Sequence, residues 1–289
     1  MKTDIMIMHS GYDGKRCITN VRSSKLPDGS FYAFGQYLDV TGVDYFDGIL
    51  MSKLENGKWT EFKPVKALAG IKDSEGVTVP VESNLMYHKK TGKALLIGGT
   101  CHYKYGEKEP DSNRNTFYTV MEGDNFGEIK YISMPKEYMY CGYGGGTVYE
   151  AENGDLFIPI YYKTSPESLY YACVIRCSFG GSTAKLLEIV KPMTVNCQRG
   201  FAEPSIIKFN GKFYITLRND EFGYVGESDN GLDYYNIKKW CWDDGSILPT
   251  YNTQQHWFEL SGKLYLVYTR RGAGNTMCSA TGRRYLRRR

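Results

Sequence analysis

The sequence lacks the segments that would commit it to a bilayer, a metal or a nucleotide. No apolar run is long enough to span a membrane. The start, "MKTDIMIMHSGYDGKRC", has neither the apolar core nor the small-residue cleavage site of a secretory leader. The eight cysteines form no CxxC pair and no metal-site spacing, so no metal is expected. As written, the chain is expected to be cytoplasmic with reduced thiols; a leader upstream of this start would mean export. No long amphipathic helical pattern occurs. The run "CGYGGGTVYE" is followed by neither Lys-Ser/Thr nor a helix, which removes a phosphate loop, and no cofactor is expected.

A basic stripe is also missing. The formal net charge is +4, but Arg283, Arg284, Arg287, Arg288 and Arg289 crowd the last seven residues. Without them the chain is near neutral and offers nothing to track a phosphate backbone, so neither nucleic acid nor membrane is an expected partner.

What the sequence does have is tyrosine, 25 of them, in an aromatic content of 15%. Tyrosine suits strands, and its flat ring with a polar tip suits sugar clefts. One pattern recurs: an apolar run, a tight glycine turn, and a second run rich in aromatic and β-branched residues. It reads "VRSSKLPDGSFYAFGQY", "SNLMYHKKTGKALLIGGT", "GGTVYEAENGDLFIPIYY", "PSIIKFNGKFYITLR" and "HWFELSGKLYLVYTR". Such turns supply positive φ between antiparallel strands. Their glycines (Gly29, Gly92, Gly154, Gly211 and Gly262) lie roughly 50–60 residues apart, the range of propeller blades. Further strand-like pairs between them, such as "YACVIRCSFGGSTAKLLEIV", bring each unit to about four strands. The expected fold is therefore an all-β propeller, with four full blades and the first hairpin of a fifth. Gly144, Gly145 and Gly146 are expected to let strand backbones crowd together.

Two segments carry a family resemblance. "ESDNGLDYY" holds Asp229, Gly231 and Tyr234 at the spacing of an Asp-box, and "MSKLENGKWTEF" is a degenerate version around Ser52, Gly57 and Trp59. In such a box the Asp is expected to cap the turn and the aromatic to pack between blades. The longer match is "RGFAEPSIIKFNGKFYITLRNDEFGYVGESDNGLDYY" with "NTQQHWFELSGKLYLVYTRRGAGN". Together they resemble bacterial sialidase-like (BNR-repeat) proteins, whose fold is a six-bladed β-propeller. In that group the last segment continues as N-D-H-V-F-R-H-R-A-P-L-F. One base deleted from codons for that continuation yields N-T-M-C-S-A-T-G-R-R-Y, the residues from Asn275 to Tyr285 here. The resemblance thus implies a propeller domain over 1–275, its last blade incomplete, and a frameshifted tail over 276–289.

The resemblance also implies a chemistry. Sialidase-type sites hold a sugar carboxylate with arginines, whose planar forks match it. They use an Asp as acid/base and a Tyr activated by a Glu as nucleophile. Glu203, in "FAEPS", sits where the family places that Glu, and Arg218, ending "FYITLR", where it places a carboxylate-binding Arg. Arg270, ending "LYLVYTR", is a further candidate expected at the same end of the neighbouring blade. Arg199 opens the matching segment and joins the substrate-binding set. The first hairpin lacks the family's Arg-Ile-Pro motif; Arg22 is a nearby arginine, at a different distance from Gly29. Asp44 has about the right offset to be the acid/base, with Asp47 as competitor. The family's nucleophilic Tyr belongs to the last blade.

"TQQHW" adds Gln254, Gln255 and His256 at the opening of an expected inner strand, where His256 suits proton transfer near neutral pH. His102, with Tyr103 in "CHYKYG", ends the second hairpin and could join them. Each residue has a bland alternative: Glu203 pairing with Arg199, Arg218 in an interblade ion pair, His256 bonded between blades. The first functional reading is a glycosidase acting on a terminal acidic sugar of a glycan. The second is a lyase acting on a uronate, with His256 or a Tyr abstracting the proton. The third is a glycan-binding propeller, or a fragment, without activity.

Overall fold

A computed structural model describes residues 6, 8–9, 12–39, 45–108, 110, 114–138 and 140–270. Asp44 and the tail from Thr276, with its expected frameshift, lie outside the described residues. The chain divides into two compact units, Met1–Ile132 and Ser133–Arg289.

Among the described residues the first unit holds two sheets. One contains β1 (Arg16–Lys25), β2 (Phe31–Asp39), β3 (Leu50–Glu55), β4 (Lys58–Trp59) and β5 (Lys63–Pro64). Its order is β1-β2-β3-β4, with β5 also against β3. The other contains β6 (Ile71–Lys72), β7 (Gly76–His88), β8 (Lys93–Lys104), β9 (Thr116–Glu122), β10 (Asn125–Phe126) and β11 (Lys130–Tyr131). Its order is β10-β9-β8-β7-β6, with β11 on β9. Tyr32 and Phe34 of β2, Leu85, Leu96 and Phe117 form a buried apolar core in this unit.

Among the described residues the second unit holds three sheets. They are β12 (Tyr149–Glu150), β13 (Leu156–Tyr162), β14 (Tyr171–Phe179) and β15 (Ala184–Ile189); β16 (Ala202–Phe209), β17 (Lys212–Arg218), β18 (Gly223–Ser228) and β19 (Tyr235–Lys239); and β20 (His256–Leu260) with β21 (Lys263–Val267). All strand pairings within the five sheets are antiparallel. In β17 Phe213, Ile215 and Leu217 are buried at a period of two, and Thr216 is buried between the last two. The sole helical turn among the described residues is the 3-10 segment Lys66–Leu68, and no helix there is long and apolar enough to cross a membrane.

The five hairpins expected from the sequence are all present. Their turn glycines have φ between 67° and 91°. At Asn210-Gly211 both residues have positive φ, 48° and 82°, between Phe209 and Lys212, which face each other in register. That is the mirror-image turn whose twist matches the strands it joins.

One hairpin differs from its expected form. The ladder of β12 covers only Tyr149 and Glu150, and Gly144 and Gly146 ahead of it pack against β16. A Cβ on Gly144 would stand 2.6 Å from Glu203 Cγ, and one on Gly146 would meet the Pro204 carbonyl. The crowding expected of the glycine run is therefore real, and its partner is the strand that carries Glu203.

The first strands of three hairpins share a local device. In β1, β7 and β16 the register slips between Thr19 and Arg22, between Val81 and Asn84, and between Ala202 and Ser205. Each slip places two residues opposite one, a β-bulge. The first extra residue is left-handed in every case: Asn20 (φ 52°), Glu82 (52°) and Glu203 (47°).

Candidate functional site

The candidate site is built where β16 and β17 meet. Ala202 faces Arg218 across the ladder, so the residue after Ala202 starts beside the arginine. The bulge then turns Glu203 into the left-handed region, a conformation that costs a non-glycine residue about 1–3 kcal/mol and persists only where neighbours enforce it. Gly144 lies close against its Cα, Cβ and Cγ. Arg218 Nη1 donates to Glu203 Oε2. The two side chains are 16% and 10% exposed, so water screens this ion pair far less than a surface one.

Arg218 has a second anchor that the sequence did not suggest. Its Nε and Nη2 both donate to Asn252 Oδ1, at 3.0 and 2.8 Å. The segment bearing Asn252 is itself tied down. Gly223, opposite Arg218 in the β17–β18 register, donates its N–H to Thr250 Oγ1 at 2.9 Å. Tyr251 N–H donates to the Thr269 carbonyl at 2.7 Å. Thr250 in turn forms a bridge with Arg270. Arg270 therefore lies beyond the end of β21, which stops at Val267, rather than on it; it is exposed and connects toward the Arg218 end through Thr250 and Gly223.

The "TQQHW" residues separate. Gln255 is 2% exposed, and its amide packs on Gly223, where a Cβ would stand 2.3 Å from Nε2. Its carbonyl accepts from Thr216 Oγ1 at 2.9 Å, while its Oε1 is buried without a hydrogen bond among the described residues. His256 opens β20 and its Nε2 lies 3.3 Å from Gln254 Oε1.

Arg199 is engaged elsewhere. Its Nε donates to Asp220 Oδ1 at 2.8 Å, and its guanidinium lies over the Tyr170 ring. Asn219 Nδ2 ties the same two loops by donating to the Cys197 and Gly200 carbonyls. Arg199 thus belongs to a clasp between loops, and the carboxylate of Glu203 pairs with Arg218, not with Arg199. In the first unit, Arg22 closes the β1 bulge and its Nη1 donates to the Val21 carbonyl at 3.2 Å. His102 is a buried β8 residue opposite Thr78, beside Gly76. Tyr103 is buried, its hydroxyl accepts from the Phe46 N–H at 3.3 Å, and burial pushes its pKa far up.

The turn resembling an Asp-box is capped differently from expectation. The capping expected of Asp229 falls to its neighbours: Asn230 Oδ1 accepts from the Leu232 and Asp233 N–H groups, each at 2.9 Å, and Ser228 Oγ accepts from Gly231 N–H at 2.9 Å. Asp229 instead accepts from the Tyr235 hydroxyl at 2.7 Å. The Tyr234 hydroxyl is buried, which raises its pKa strongly. No group of three or more His, Cys, Asp or Glu among the described residues could hold a metal ion.

No model of a known protein family matches the sequence, and no curated protein does. Solved structures do match. A protein of unknown function from Dyadobacter fermentans is 12% identical, with a TM-score of 0.66 over 89% of this chain and 76% of that one. Trypanosoma rangeli sialidase in complex with the inhibitor DANA is 14% identical, with a TM-score of 0.62 over 87% of this chain and 44% of that one. The NanB sialidase of Streptococcus pneumoniae is 10% identical, with a TM-score of 0.62 over 91% and 58%. The chain thus has the all-β, sialidase-like β-propeller fold. It spans less than half the length of the trypanosomal enzyme.

Proposed function

We propose that this protein is a sialidase-like glycoside hydrolase acting on a terminal acidic sugar of a glycan. The observation that carries the reading is the Glu203–Arg218 pair, largely buried and held by a left-handed bulge residue at a strand end. Fold alone does not specify a reaction, so the reading rests on this constellation. Arg218 supplies the planar cation that a sugar carboxylate matches, and Arg270 a second one. Glu203 is the carboxylate that activates the nucleophile or a water. The balance is that of hydrolysis: the glycosidic C–O bond breaks, the water's oxygen joins the anomeric carbon, and a proton goes to the leaving group.

The test is turnover of fluorogenic glycosides of sialic acid and glucuronic acid by the wild type and by Glu203→Gln. The expected result is turnover by the wild type, lost in the variant while substrate binding remains. Unchanged turnover in Glu203→Gln, or a product absorbing in the ultraviolet from a new double bond, would overturn the assignment.

A further inference from the structure

We propose that Asn252 is a positioning residue for Arg218, fixing its guanidinium plane through a neutral acceptor so that the cation stays matched to an anionic ligand. This rests on the reading of Arg218 as the carboxylate-binding group. The guanidinium presents five N–H donors in one rigid plane, so two anchors at different edges determine that plane. Glu203 holds Nη1, and the single oxygen of Asn252 holds Nε and Nη2 at 3.0 and 2.8 Å. The anchors come from different parts of the chain, and the second is itself fixed by the Thr250 and Tyr251 bonds. Glu203 and Asn252, each held separately, therefore both constrain the Arg218 plane.

The choice of amide over carboxylate is the informative part. An Asp at this position could accept the same two hydrogen bonds and hold the same plane. It would also add a negative partner to the guanidinium beside Glu203. Each added carboxylate weakens a cation's attraction for a further anion, because like charges repel across a site with little water. The donors of Arg218 also settle which way the amide faces: Oδ1 points at the guanidinium and Nδ2 away from it. Asn252 makes no other hydrogen bond among the described residues, so its NH2 group is directed away from Arg218 with both donors unused.

The test compares Asn252→Ala and Asn252→Asp with the wild type and with Arg218→Ala. Binding of N-acetylneuraminic acid and of its uncharged methyl ester is followed by NMR titration, and the Arg218 Nε–H resonance is monitored in the same samples. Both Asn252 variants are expected to bind the acid roughly tenfold more weakly while binding the ester as the wild type does. The Nε–H signal is expected to exchange slowly in the wild type and in Asn252→Asp, and rapidly in Asn252→Ala. A merely structural asparagine gives a different pattern: Asn252→Asp keeps wild-type affinity for the acid, which overturns the inference. An Nε–H signal unaffected by Asn252→Ala also overturns it. Failure of the functional reading is distinct: wild type and Arg218→Ala then bind acid and ester alike, whatever the Nε–H signal does.

Discussion

Replacing Gly144 by alanine adds one methyl group at the back of the candidate site, and its effect can be worked out from the structure. The new Cβ would lie 2.6, 2.7 and 2.8 Å from Cγ, Cα and Cβ of Glu203. Carbon atoms rest at about 3.5–4.0 Å, so the overlap is roughly 1 Å with three atoms at once. One of the three is backbone, and it belongs to a bulge residue locked between ladder bonds on either side. The backbone of Gly144 has no left-handed φ, so the methyl group itself is the sole objection to alanine. Overpacking of this kind costs about 1–3 kcal/mol. At about 2–4 °C per kcal/mol for a domain of this size, the melting temperature should fall by several degrees.

The control is Gly180→Ala, where a Cβ meets nothing within 4 Å and the melting temperature should hold or rise slightly. Thermal unfolding followed by circular dichroism makes the comparison. Because the methyl group pushes on Glu203 itself, Gly144→Ala should also lose glycoside turnover at temperatures where the variant is fully folded. A melting temperature within about 1 °C of wild type, with turnover intact, would refute the packing of the glycine run on β16.

Two further outcomes follow from single side chains. Asn230→Ala should destabilise by about 0.5–2 kcal/mol, since two N–H groups lose their acceptor, whereas Asp229→Ala removes only an exposed bond to Tyr235; denaturant midpoints should rank them in that order. The Asp124 carboxyl is held below its usual range, first by the Tyr32 hydroxyl and then by Lys53. A depressed carboxylate adds stability that is present above its unfolded pKa and lost as pH falls through the folded one. Stability of the wild type should therefore drop on acidification more steeply than that of Asp124→Asn, by a small margin because the group is half exposed; parallel pH profiles would contradict this.

Much of the scaffold was legible because its signals are local. Glycine turns announce positive φ within two residues, and alternating runs announce strands, so all five hairpins could be placed. Glu203 and Arg218 were also within reach, since a hairpin centred on Asn210-Gly211 brings them together. The remainder depends on contacts between distant segments. Glu203 precedes a proline, which ordinarily biases a residue toward extended backbone, and nothing local foretells its left-handed turn. Asn252 reaches Arg218 through the tethering of a loop, and Gln255 is buried because Gly223 leaves it space. The transfer of turn capping from Asp229 to Asn230 is a shift of one residue, below what a spacing motif resolves.

The bulge that turns Glu203 has a consequence for how such a protein can change. The same left-handed corner holds Asn20 in β1 and Glu82 in β7, and Gly145 has positive φ ahead of β12. At each bulge the shape of the main chain is imposed by the hydrogen-bonded rungs before and after it, not by the residue in the corner. The corner therefore works as an interchangeable socket: asparagine and glutamate occupy it with the same backbone. A lineage built on this scaffold can exchange what a socket presents by single substitutions, each limited to about the cost of one strained residue, while the sheets beneath remain as they are.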